Sequence, residues 1–312
     1  MNIQSVKSVN FHPGKLLRLG RKIAWFFTVY IWPKHDATVL TRNGRLAFNS
    51  KDKTTGRILH VYRNHEFDEM VRYIDMLRKE GFLTERTDGV MLDVGGYIGM
   101  SSTGFLLDGV FDKSVAFEPS PENFRLLKQN ITHNDLQQRM FGLNIALSDA
   151  EGVLEFELSN KNYGDHRIRK TGEVEAGFYG EQDRQVIKVP AKTLDSLSEQ
   201  ELGISLDEVK LIWMDIQGHE GKFLKGAQTF LKNHPAVPVA MEFWPYAIKR
   251  SGVSREAFIS LVSDMFTGYY MLGEDGYQYF TVDQISDLFD REDDPERGST
   301  VVFANRPPAS TK

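Results

Sequence analysis

Four acidic residues stand at the ends of short apolar runs in this chain. Asp93 closes Val90-Met91-Leu92, Glu118 closes Val115-Ala116-Phe117, Asp215 closes Leu211-Ile212-Trp213-Met214, and Glu242 closes Val239-Ala240-Met241. Runs of this length and composition read as buried parallel strands, and groups just beyond the carboxyl ends of such strands meet in one crevice. A carboxylate placed there can orient a cationic group, accept hydrogen bonds from a ribose, or take a proton from a hydroxyl under reaction.

The first run is the most informative. Asp93 is followed by Val94-Gly95-Gly96-Tyr97-Ile98-Gly99, a turn whose glycines let the backbone approach a ligand while a new helix offers its free N–H groups. A dinucleotide fingerprint GxGxxG would need glycine at 94, where Val94 stands. The spacing is instead Asp-x-Gly-Gly-x-x-Gly, with a carboxylate two residues before the first glycine, suited to an ammonium group. One strand later, Glu118 sits where a doubly wound fold binds a ribose. Ser120 then caps, and Pro121 opens, a helix with Phe124, Leu127, Lys128 and Ile131 at helical spacing.

With these residues in view, the chain resembles the FkbM-type methyltransferases that depend on S-adenosylmethionine (SAM). Five segments match in order: Leu92 to Gly99, Ala116 to Phe124, Ala146-Leu147-Ser148-Asp149, Thr193-Leu194-Asp195-Ser196-Leu197, and Trp213 to Ala227, within a region of about residues 60–245. The resemblance implies an α/β, Rossmann-like class I methyltransferase fold, SAM as cofactor, and a hydroxyl of a saccharide, glycolipid or related secondary metabolite as acceptor. Asp93, Gly95, Gly96, Tyr97, Gly99, Glu118, Pro119, Ser148 and Asp149 are the expected cofactor-binding residues. Two positions depart from the family, which usually has Ala-Asn at Gly96-Tyr97 and Glu at Gln217. The first departure alters the pocket wall beside the cofactor, and the second removes a carboxylate.

Methyl transfer to a neutral hydroxyl requires alignment first and a proton acceptor second. Asp215 is the expected base or orienting group, with Glu242 one strand over. His166, in Asn162-Tyr163-Gly164-Asp165-His166-Arg167, is a candidate contact to the acceptor. Glu220 reads as a stabilising charge at a helix start, and His219 as facing solvent. Asp215, Glu220 and Glu242 are hard oxygen donors, yet no metal-binding spacing supports a metal site, and none is expected. Two other classes stay open on the residues alone. One is an NAD(P)-dependent oxidoreductase, opposed by Val94 and by the lack of an evident hydride-transfer arrangement. The other is a catalytically inert SAM-binding protein, for which Tyr97 is the local hint.

The elements that must position these residues are legible from periodicity. Residues 38–63 read as short strands around an Asn43-Gly44 turn, and His65 to Lys79 as a helix capped near Gly81. Strands are expected at 90–94, 114–118, 139–145, 209–215 and 237–242, separated by helices. Residues 152–158 alternate with period two and pair with 186–189, with 159–184 as a loop or lid between them. Strands at 269–272, 277–281 and 300–304 complete a mostly parallel sheet with antiparallel edge strands. This organises the chain as a basic and aromatic N-terminal segment (1–36), a hairpin and helix preceding the core (37–85) and a methyltransferase domain (86–312).

Composition narrows the partners. The 312 residues are 41% hydrophobic and carry a net charge of −5, which supports a sizeable core and opposes a nucleic-acid binder. A small-molecule or glycan acceptor fits better, and the sequence does not settle the oligomeric state. The absence of cysteine excludes disulfides and thiolate chemistry and fits a reducing, cytoplasmic location. No apolar run reaches the roughly 18 residues of a membrane span. Residues 15–32 join basic side chains to Trp25, Phe26, Phe27, Tyr30 and Trp32, which reads either as a helix lying at the inner face of a membrane or as a segment packed on protein.

Overall fold

The computed structural model describes residues 14–85, 89–169, 183–294 and 298–305. The N-terminal part forms α1 (Lys15–Phe26) with a π-helical turn at Phe27–Ile31, the hairpin β1 (Asp36–Thr41) and β2 (Gly44–Asn49), α2 (Thr55–Tyr62) and α3 (Phe67–Lys79). Alternation follows: β3 (Val90–Val94), α4 (Met100–Leu107), β4 (Lys113–Phe117), α5 (Pro121–His133) and β5 (Met140–Leu143). Next come β6 (Ala146–Leu147), β7 (Gly152–Leu158), β8 (Arg167–Ile168), β9 (Gln185–Lys192) and α6 (Glu199–Leu202). The chain continues through β10 (Val209–Met214), α7 (Glu220–Gly226), α8 (Gln228–Asn233), β11 (Val239–Phe243), α9 (Pro245–Arg250) and α10 (Arg255–Met265). It closes with β12 (Gly268–Gly273), β13 (Gly276–Thr281), α11 (Ile285–Arg291) and β14 (Ser299–Ala304).

The large sheet runs β13-β12-β14-β11-β10-β3-β4-β5. It is parallel from β5 to β11 and antiparallel from β14 outward, as expected for a mostly parallel sheet with antiparallel edge strands. Both faces are covered. Leu92, Ile212 and Met241 pack into one core layer, and Met91, Leu211 and Ala240 into the other, which is why these strands read as continuous apolar runs. The strand order reverses between β3 and β10, so their carboxyl ends open the crevice that carries the acidic residues. A second sheet, β6-β9-β7-β8, carries the expected antiparallel pairing of β7 with β9.

The N-terminal hairpin docks on α5. Asn130 accepts from the Ala47 N–H at 2.6 Å and donates to the Ala47 and Ile98 carbonyls at 3.0 and 2.9 Å, imitating a strand partner for β2. Arg125 adds a two-point pair with Asp36 at 2.7 and 2.9 Å.

Two local expectations are corrected. Residues 55–62 are helix, not strand. The Asp52 carboxylate accepts the Thr54 N–H and turns the chain, and Leu59 and Val61, two residues apart, are both buried because α2 has protein on more than one side. The single helix expected after Asp215 is two, since Asp195 accepts the N–H groups of Thr229 and Phe230, each at 2.8 Å, and starts α8 afresh.

Candidate functional site

The crevice begins with a close approach of two strand ends. The Asp215 N–H donates to the Val94 carbonyl at 2.9 Å, and a Cβ at Gly95 would stand 2.0 Å from the Asp215 carbonyl oxygen. Only glycine fits there. Gly95 and Gly96 donate to the Phe117 carbonyl at 3.0 and 2.9 Å, which brings the turn against the end of β4. Glu118, buried at that end, accepts the Tyr97 N–H at 2.9 Å and the Ser120 N–H at 2.7 Å. Burial outweighs these two donors and pushes its carboxyl up to about 8.

Tyr97 has φ of 50°, a left-handed backbone that a bulky residue adopts only under constraint. The constraint is visible: Glu118 holds its N–H, and its hydroxyl donates to the buried Asp52 at 2.6 Å. The Asn usual in the family suits that backbone conformation, so Tyr97 is held here by partners from outside the motif.

Beside these residues lies a narrow cavity of about 40 Å³, lined by Glu118, Asn123, Leu147, Tyr163, His166 and Asp215 among others. Phe156 and Ile168 from the second sheet roof it. The Asn123 side-chain oxygen is buried without a partner, and its amide donates to the Tyr163 carbonyl at 3.0 Å. The lining suits an adenosine-type ligand: apolar walls, a strand-end carboxylate and an unfilled acceptor.

A larger cleft, about 790 Å³, adjoins it and is lined by Glu66, Asp165, Arg184, Asp215, Gln217 and Glu242 among others. Gly95, Tyr97, Gly164 and Asp215 border both spaces. Gln217 donates through one amide nitrogen to Asp215 at 2.7 Å and to Glu242 at 2.9 Å. Asp215 is accessible from the cleft yet surrounded by protein mass, and that environment raises its carboxyl above the ordinary range. Burial pushes Glu242 well above it, and Asp215 and Glu220 push the same way. The two carboxyls are thus joined through one amide. On the lid side, Asp165 pairs with Arg184 and lies 3.6 Å from the fully buried Arg167, which fixes the segment carrying His166.

The structure brings Asp93, Gly95, Gly96, Tyr97, Glu118, Pro119, Asp215, Glu242 and His166 to the walls of these two spaces. Asp93 faces the larger one, with an oxygen already committed to the Ser102 hydroxyl at 2.5 Å and N–H at 3.2 Å, so it also caps α4. Three expected cofactor residues line neither space. A Cβ at Gly99 would face Met140 and Leu127 rather than either cavity. Ser148 and Asp149 lie past β6, where Ser148 bonds His219 at 2.9 Å and Asp149 pairs with Lys222 at 2.8 Å.

Two roles also change. His219, expected at solvent, is buried, and burial lowers its imidazole to about 4. The Nδ1 of His166 accepts the Ser159 N–H at 2.9 Å, and burial followed by the nearby Arg184 lowers the ring to about 3. A neutral ring with Nδ1 so engaged carries its proton on Nε2, making His166 a donor to a ligand and not a base. Sequence reasoning missed Glu66, Asp165, Arg184, Asn123 and Tyr163. Of these only Asn123 stood inside a matching segment.

The Methyltransferase FkbM domain model matches residues 93–279. The 2-O-methyltransferase NoeI of Sinorhizobium fredii is 28% identical over 180 residues, covering 54% of this chain and 71% of that protein. Methyltransferase FkbM from Methylobacillus flagellatus superposes with a TM-score of 0.42 at 17% identity, covering 79% of this chain. This chain spans 52%, about half, of the length of that one. Precorrin-6y C5,15-methyltransferase from Geobacter metallireducens gives 0.34 at 9% identity, with 76% and 88% covered.

Proposed function

The chain belongs to the FkbM methyltransferase family, and from that premise we propose that it transfers a methyl group from SAM to a hydroxyl of a saccharide, glycolipid or related metabolite. The observation that carries the proposal is the position of Asp215, a raised-pKa carboxyl on the wall common to the narrow cavity beside Glu118 and an open, polar cleft. SAM supplies an electrophilic methyl on a sulfonium centre. Glu118 accepts the ribose hydroxyls, Pro119 and Leu147 flank the base, and the carboxylate of Asp93 faces the ammonium end.

Asp215 receives the proton of the acceptor hydroxyl as the new bond forms, and Gln217 and Glu242 hold it in place. His166 offers its Nε2–H from the roof of the cavity. A nucleic-acid acceptor is disfavoured by the net charge of −5. A cytoplasmic location is part of the same reading and rests on the cysteine-free sequence. The name of the Sinorhizobium relative, a 2-O-methyltransferase, supports oxygen as the accepting atom.

Calorimetric titration with SAM and with NAD, followed by a mass-shift assay on saccharide acceptors, tests this function. SAM binding and a methyl mass increment are expected. Tight NAD binding without SAM binding would overturn the assignment.

A further inference from the structure

The segment from α1 through Trp32 has two unlike faces. Trp25, Thr28 and Val29 are buried, with Trp25 against Phe48 and His60, and Arg21 donates to the Val61 carbonyl at 3.1 Å. Lys51 closes the end by donating to the carbonyls of Val29 and Trp32 at 2.5 and 2.7 Å. The segment is therefore fixed on the protein by its inner face. The outer face carries Leu16, Leu19, Ile23, Phe26 and Tyr30, which repeat at steps of three and four, with Ile31 beside them; all are exposed, Tyr30 by 62% and Ile31 by 61%. Phe27 and Trp32 extend the same exposed surface.

A contiguous apolar and aromatic stripe of this kind, on a rigidly held helix, marks an interaction site. Its chemistry selects the partner. Lys15 and Lys22 are exposed beside the stripe, while the segment Lys15–Phe26 contains no acidic residue. The protein as a whole carries a net charge of −5, so a basic stretch here is local and opposite to the rest.

We propose that this outer face seats on an anionic lipid surface, with the aromatic rings at headgroup level and the lysines against lipid phosphate. The docking has a consequence for the site. The inner face of α1 packs on α2, and Thr54, Thr55 and Ile58 at the start of α2 line the larger cleft. One helix therefore separates the lipid-facing surface from the acceptor space. The proposal rests on the exposed face and not on the methyltransferase reading.

Flotation of the full chain with phosphatidylcholine vesicles, with and without phosphatidylglycerol, tests it. The protein should float with the anionic vesicles, less with the neutral ones, and less as salt is raised. The triple variant Ile23→Ser/Phe27→Ser/Ile31→Ser should lose at least about tenfold in partitioning, and Lys15→Glu/Lys22→Glu should lose the preference for anionic lipid. Both should keep the parent's thermal unfolding and SAM affinity, since their side chains are exposed. SAM titration of the same samples reports on the functional reading separately. Absence of flotation, or equal flotation of parent and triple variant, would overturn the proposal. So would a parent dimer in light scattering that the triple variant converts to monomer, because a second copy would then cover this face.

Discussion

In the cofactor half of the crevice, Glu118 takes its hydrogen bonds from the backbone N–H groups of Tyr97 and Ser120, whereas in the acceptor half Asp215 and Glu242 are tied through the side-chain amide of Gln217. Backbone donors are set by strand and turn geometry and remain whatever side chains surround them. A side-chain bridge disappears with one substitution. The Glu118 side thus rests on backbone geometry, and the Asp215–Glu242 side on a single side chain, Gln217.

The largest effect should come from removing the proton acceptor. Asp215→Asn is expected to slow single-turnover methyl transfer by about 10²-fold or more while SAM affinity changes little. Because the parent carboxyl is raised, its rate should fall on the acid side at a pH above the ordinary aspartate value. If instead Asp215→Asn retains the parent rate and Glu242→Gln loses about 10²-fold or more, the base is Glu242 and the two halves meet elsewhere.

Next is the backbone-held carboxylate. Glu118→Ala should weaken SAM binding by roughly 1.5–3 kcal/mol, the value of hydrogen bonds to a charged group. Without ligand this carboxyl titrates at about 8, and ribose donors favour its ionised form. SAM binding should therefore release protons near neutral pH and tighten as pH rises toward about 8. Titrations in buffers of different ionisation enthalpy measure the released proton, and a null result removes Glu118 from the ribose.

How far the sequence showed these two halves follows from the same contrast. Asp93 to Gly99 and Glu118 were legible because strand, turn and carboxylate lie within a few residues of one another, and local chemistry dictates their conformation. The parallel strands were legible as apolar runs buried on both faces. Glu66, Asp165 and Arg184 were not legible, since only tertiary folding brings them to Asp215 and Glu242. α2 escaped because Leu59 and Val61, buried two apart, imitate strand alternation. His219 was misjudged because its partner, Ser148, lies on another element. Gln217 was noticed only as a missing carboxylate, while its amide is what joins the pair.

Gln217→Glu sharpens that last point. It removes a donor that lowers the Asp215 carboxyl and adds a third acid beside two that are already raised. The acid limb of kcat/KM should move to higher pH and, once it lies above neutrality, the rate at pH 7 should fall by about tenfold per further pH unit, recovering in more alkaline buffer. A loss that is independent of pH would mean that the amide acts only by shape.

The smallest effect on turnover belongs to Glu220, and its stability signature distinguishes two origins. At the first position of α7 a charge is expected to stabilise the helix, yet this side chain is buried and accepts the Ile216 and Gly218 N–H groups at 3.2 Å each, and burial raises it to about 7. A carboxyl whose folded value is raised contributes stability fully present below its unfolded value, near 4.5, and lost as pH rises through about 7. Gln cannot ionise and keeps an acceptor oxygen, so Glu220→Gln should match the parent near pH 5 and melt higher than it, by about 2 °C or more, above pH 8. Turnover should stay close to the parent's, because Glu220 lines neither space around Asp215. Thermal scans across that pH range decide the matter: a variant that melts lower at every pH would show that the helix-start charge outweighs burial, and the loop carrying Gln217 would then be held by an ionised Glu220.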